Sequence, residues 1–91
     1  MKITWDGAKA LLNPKNHGGV TFEEAQQVLL DPYALTHEDR DSEHEHRFIT
    51  LGMGGKNRIL IVVSTYRGEV IRLISAWKAN ESQRRRYESQ F

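Results

Sequence analysis

The side chains in this 91-residue chain best suited to chemistry are cationic, and they gather in its second half. Arg67-Gly68 reads as a tight hairpin turn between two runs rich in β-branched residues. With those two residues as the turn, Tyr66 faces Glu69 and Val63 faces Arg72. Arg72 then stands among aliphatic residues, in a strand otherwise suited to burial. A guanidinium buried without an anion is costly. Its planar fork matches two phosphate oxygens, so the position reads as a phosphate site. An internal pair with Glu45, or snorkelling of the charged head to solvent, satisfies the same demand.

A second set comprises Lys78 and Arg84-Arg85-Arg86, followed by Tyr87, with Arg58 as a further cation. It reads as a phosphate-tracking patch beside an aromatic ring able to stack on a base. Three consecutive arginines also cover most of a helix circumference, so a plain solvated face is the alternative. His17 lies in the loop Asn16-His17-Gly18-Gly19 and is the best single acid–base candidate, because imidazole titrates near neutrality. The stretch from His37 to His46 holds three histidines and five carboxylates. His44 and His46 would share a face of a strand, but no fixed metalloenzyme spacing is present. A charged loop is expected there, with no metal and no cofactor. No Ser-His-Asp order, phosphate-binding loop or dinucleotide fingerprint occurs.

The elements that must position these groups follow from capping and periodicity. Asp6 caps a short helix over Gly7 to Leu12, with Ala8, Leu11 and Leu12 as its apolar side, and Pro14 stops it at Asn13. Thr21 opens a second helix with Glu24 three residues on, a capping box. Phe22, Ala25, Val28 and Leu29 form its inner face, and Asp31-Pro32 ends it. Strands are predicted over Arg47 to Gly52, Arg58 to Thr65 and Glu69 to Trp77, with Ala34 to Glu38 available as an edge. Asn80 caps a last helix, Glu81 to Gln90. The fold class is α+β: two N-terminal helices, an antiparallel sheet of three to four strands and a C-terminal helix, in one domain over residues 1–91.

Composition narrows the setting. The chain has no cysteine, which excludes disulfides and thiolate metal sites and fits a reducing compartment. No secretory leader is visible, and the longest apolar run, Ile59 to Val63, is too short to span a membrane. The net charge of +1 hides an asymmetry: residues 1–55 carry five Lys/Arg against nine Asp/Glu, whereas residues 56–91 carry eight against three. That imbalance suits an anionic partner for the second half. A domain this small has a thin core and commonly leans on a partner.

Read in order, these segments resemble the BrnT family of type II toxins. The matching residues include Trp5-Asp6, Lys9, Asn13, His17-Gly18, Val20 to Ala25 and Asp31-Pro32. They continue through Glu45, Arg47, Gly52, Arg58, Val62-Val63, Thr65, Arg67-Gly68, Arg72, Ile74 to Ala76, Ala79, Arg84-Arg85 and Tyr87-Glu88. The resemblance implies a RelE-like fold and a ribonuclease that arrests growth by attacking cellular RNA in the bacterial cytoplasm. It also implies a DNA-binding antitoxin, BrnA, as the partner in a 2:2 complex, with promoter DNA reached only through that antitoxin. The chain departs from the family at Trp77, where Arg is usual, at Asn16, where Lys is usual, and at Gln83, where Glu is usual. Metal-free RNA cleavage needs a base for the 2′-hydroxyl, cations for the phosphorane charge and an acid for the leaving oxygen. Arg67 and Arg72 are the expected phosphate stabilisers, with Lys9 or Lys78 assisting. His17 or Glu45 is the expected proton carrier. The rival reading is a catalytically weakened homologue that binds antitoxin or RNA.

Overall fold

A computed structural model describes residues 1–43 and 45–91; His44 lies outside the described residues. The element order is β1 (Lys2–Trp5), α1 (Gly7–Asn16), α2 (Phe22–Leu29), β2 (Leu35–Asp39), β3 (Arg47–Met53), β4 (Ile59–Arg67), β5 (Val70–Lys78) and α3 (Glu81–Glu88). The five strands form one sheet in the order β1-β5-β4-β3-β2. The α+β class holds, but the sheet is mixed and larger than the three to four antiparallel strands expected. The additional strand is β1, which pairs parallel with β5, Lys2 opposite Val70 and Trp5 opposite Leu73. Four residues without a turn signal give no local cue; β1 is a strand because β5 offers it an edge.

β4 is the central strand, buried on both faces from Ile59 to Thr65. Its even-numbered side chains Leu60 and Val62 meet Phe22, Ala25 and Val28 of α2, together with Val20, Leu73 and Ala76. Its odd-numbered Ile59 and Ile61 meet Leu51, Ala79 and Tyr87, so α3 packs on the opposite face from α1 and α2. The period-two alternation of one strand thus builds two separate cores.

α1 runs through Pro14 rather than stopping at Asn13. Proline forfeits one helical hydrogen bond, and tertiary contacts of Asn13 offset it. Asn13 is 4% exposed. Its Nδ2 donates to the Val20 and Ala76 carbonyls at 2.8 and 2.9 Å, and its Oδ1 accepts from the Ala76 amide at 3.2 Å. β1 ends opposite Leu73, so the carboxamide of Asn13 serves as the missing strand neighbour for Ala76. The helix therefore turns a polar residue inward, and its expected apolar side, Ala8, Leu11 and Leu12, faces solvent.

The capping box of α2 is only half made. Thr21 Oγ1 accepts from the Glu24 amide at 3.1 Å, but the Glu24 carboxylate is turned to Arg58. In α3 the Asn80–Gln83 box is complete, so the Gln83 departure leaves capping intact. The hairpin also closes one residue later than expected. Arg67 pairs with Val70, leaving Gly68 and Glu69 as the turn. Gly68 has φ of +63°, and Glu69 does not share a positive φ, which is the type II′ pattern with glycine first. Arg72 consequently faces Thr65 rather than Val63, and a register shift lies farther from the turn, between Val63 and Ser64.

Candidate active site

α3 covers only the Ile59–Ile61 end of its sheet face. Beyond it, the hairpin end of the same face lacks a helix. The register sets a row across all five strands there: Asp39 opposite Arg47, Arg47 opposite Thr65, Thr65 opposite Arg72, and Arg72 opposite Thr4. Thr65 lies four residues beyond Ile61 on β4, so the whole row faces the α3 side. Arg47 and Arg72 stand two strands apart, about 10 Å between backbones, and Thr65 lies low between them. Arg67, two residues past Thr65, projects from the same face. Lys2, opposite Val70, joins Arg67 in the next row.

The row is held firmly underneath. Thr65 is 2% exposed, and its Oγ1 donates to the His46 carbonyl at 2.6 Å. Arg47 NH2 lies 3.5 Å from Glu45 Oε1, and its Nε is buried without a hydrogen-bond partner among the described residues. Glu45 therefore pairs with Arg47, not with Arg72. Among the described residues, Arg72 makes no ion pair. Three guanidinium groups on one face, with Glu45 and the cross-strand Asp39 beside Arg47, can hold an anionic group from several sides and leave a base beside it.

The other expected residues are dispersed. His17 caps the C-terminus of α1, and its ring rests against Trp77 with centroids 5.6 Å apart. Trp77 pairs with Ile61, four residues from Thr65 along β4, so the Trp77 backbone that the imidazole accompanies lies about 13 Å along the sheet from the row. Lys9 lies in the first turn of α1, in the helical layer on the other face.

Arg58, Lys78 and Arg84 line one cleft of about 320 Å³ between α3 and the far end of β4. Their capacities differ. Arg58 donates from Nε and NH2 to Glu24 and from NH2 to the Gly19 carbonyl. The hydrogen bond from Arg58 holds the Glu24 carboxyl below its ordinary value despite burial, and the same bond raises Arg58. Arg84 NH1 donates to the Ala79 carbonyl at 3.0 Å, and Arg85 pairs with Glu81. Arg86 lies near His37, Ile49 and Ile61 on the α3 face.

Tyr87 is not an open stacking platform. It is 4% exposed, and its hydroxyl donates to Asp31 Oδ2 at 2.5 Å. Burial, reinforced by that bond, pushes its phenol up to about 12. Burial alone would raise Asp31, but hydrogen bonds from Tyr87 and from the Met53 and Tyr33 amides outweigh it and hold the carboxyl low. In the acidic stretch, His46 Nδ1 is 2.7 Å from Glu38 Oε1.

Sequence reasoning missed Arg47 as a site residue. It opens a strand like any alternating residue, and only the register with Thr65 brings it level with Arg72. It also missed the structural duties of Asn13 and Tyr87, whose partners are 63 and 56 residues distant.

The comparisons agree with this architecture. The family model described as the ribonuclease toxin BrnT of type II toxin–antitoxin systems matches residues 5–83. A solved structure, the 1.1 Å crystal structure of the Brucella abortus ribonuclease toxin BrnT, is similar at a TM-score of 0.68 and 25% identity. The alignment covers 89% of this chain and 99% of that one. No curated protein matches the sequence. The match spans most of the sheet and the start of α3, and the chain belongs to the BrnT family of type II toxin–antitoxin toxins.

Proposed function

We propose that the chain is a metal-independent endoribonuclease toxin whose reaction takes place over the Arg47–Thr65–Arg72 row. The single observation that carries this reading is the Arg72 guanidinium. It shares a sheet face with Arg47 and Arg67, and no carboxylate of the described residues pairs with it. An RNA phosphate supplies the missing anion. Arg72 and Arg67 hold its non-bridging oxygens and take up the charge that grows on them in the phosphorane. Glu45, beside Arg47, accepts the 2′-hydroxyl proton. The 2′-oxygen then attacks phosphorus, and the P–O5′ bond breaks as the 5′-oxygen takes a proton from water, Glu45 returning its own proton to solvent. The products are a 2′,3′-cyclic phosphate and a 5′-hydroxyl. The distance of His17 from the row favours Glu45 over it as the proton carrier.

Lys78 and Arg84 guide the rest of the strand through the cleft beside α3, and exposed Arg86 adds a phosphate contact. A cognate BrnA-type antitoxin neutralises the toxin in a 2:2 complex. The test is cleavage of a defined RNA by the purified chain in EDTA, with product ends identified. A ladder ending in cyclic phosphates supports the reading. Cleavage that needs a divalent ion, or no cleavage with antitoxin binding retained, overturns it; the second outcome describes a weakened homologue.

A further inference from the structure

The apolar stripe of α1 points away from the protein. Ala8, Leu11 and Leu12 fall at i, i+3 and i+4 and share one helical face, yet Leu11 is 77% and Leu12 53% exposed. The inward positions belong to Ala10 and the buried amide Asn13. Other exposed rings have neighbours: Tyr33 lies against Phe91, and Tyr66 against Phe48. The two leucines are different, forming an outward apolar strip on a short, proline-containing helix.

The strip is framed by cations. Lys15 lies one turn beyond Leu11 and Leu12 on the same face, and Lys9 one turn before Leu12. Neither lysine makes an ion pair among the described residues. An apolar strip with lysines at both ends is complementary to an amphipathic segment that carries carboxylates beside its apolar side chains. A second copy of this chain fits poorly, because a two-fold contact would bring the same lysines near one another. RNA fits poorly too, because the centre of the strip is leucine.

We propose that the Ala8-Leu11-Leu12 face of α1, with Lys9 and Lys15 at its margins, docks an acidic amphipathic segment of the antitoxin. The inference rests on the toxin reading for the existence of that partner. α1 packs on the sheet face opposite the arginine row, so this contact is an anchor and leaves the catalytic face untouched. It is thereby separable from cleavage.

The test uses the purified chain and the purified product of the gene beside its own, titrated calorimetrically. Leu11→Ser/Leu12→Ser is expected to weaken binding at least about 100-fold, with melting temperature and RNA cleavage by the free chain unchanged. Lys9→Glu/Lys15→Glu keeps the leucines and is expected to weaken binding about 10-fold at low salt, an effect that shrinks as salt rises. Unchanged affinity in either variant overturns the proposal. So does a wild-type dimer, in the absence of antitoxin, that Leu11→Ser/Leu12→Ser converts to a monomer; that result makes the occupant a second copy. Wild-type chain that binds no antitoxin while still cleaving RNA removes the partner but leaves the ribonuclease reading standing.

Discussion

At the scale of single residues, Arg72 and Tyr87 show how environment sorts similar candidates. Arg72 pairs with no carboxylate among the described residues, so on the proposed mechanism Arg72→Ala removes a contact to the RNA phosphate. The loss of one charge-assisted donor at the transition state lowers the cleavage rate about 10²–10³-fold. The melting temperature is expected to stay within a few degrees of wild type, because no internal ion pair is broken. A collapse of thermal stability on this substitution would make Arg72 structural and shift the phosphate site to Arg67 and Arg47. Tyr87→Phe gives the opposite result. It leaves the half-buried Asp31 carboxylate without its hydroxyl donor, costing about 1–3 kcal/mol of stability, while RNA binding is unchanged. Urea titration and filter binding on the same preparation check both halves.

At the scale of elements, the joint between α1 and β5 is the part least expected from local rules. Asn13 supplies three hydrogen bonds where β1 has already ended, and it ties the last turn of a proline-bearing helix to the sheet. Asn13→Ala strands the buried Ala76 amide and carbonyl. It is expected to destabilise the chain by about 2–3 kcal/mol, read as a lowered denaturation midpoint. Asn13→Asp does not rescue it, since a carboxylate cannot donate to the Val20 and Ala76 carbonyls. His17 follows directly on this helix, and hydrogen exchange in the 13–20 segment should rise in the alanine variant.

At the scale of the whole molecule, the second half's cations are less free than its net charge suggests. Arg58, acid-rich α2 and the Gly54–Asn57 turn are joined through the Glu24–Arg58 pair, in which the Glu24 side chain is 1% exposed. The Glu24 and Asp31 carboxyls are both held below their ordinary values of 4.5 and 3.8. Their contribution to stability is complete above pH 4.5 and is lost as pH falls through the lowered values. Thermal melts are expected to hold level near neutrality and drop below pH 4.5, and Glu24→Gln should flatten that drop while lowering stability at pH 7 by about 2–3 kcal/mol. Tyr87 acts at the other end. Its folded value is raised from 10.0 to about 12, so its contribution is complete below pH 10 and declines as pH rises towards 12. Tyr87→Phe should remove that alkaline decline.

What the sequence determined by itself is local. The caps at Asp6, Thr21 and Asn80, the inner face of α2, the edge strand after Ala34 and the α+β class depend on neighbours within a few residues, and periodicity reports those directly. The resemblance to the BrnT family was legible for a related reason, since order and spacing survive in the chain itself. The tertiary structure alone decided matters that depend on register and distant partners. It made Lys2–Trp5 a strand because β5 had an open edge, and it aligned Arg47 with Arg72 across Thr65. It turned Asn13 inward and the leucines of α1 outward, and it buried Tyr87 against Asp31. The physical reason is that a two-residue period fixes which face a side chain takes but not which residue it meets. One residue of hairpin register, set by the turn at Gly68, moves every cross-strand neighbour at the arginine row.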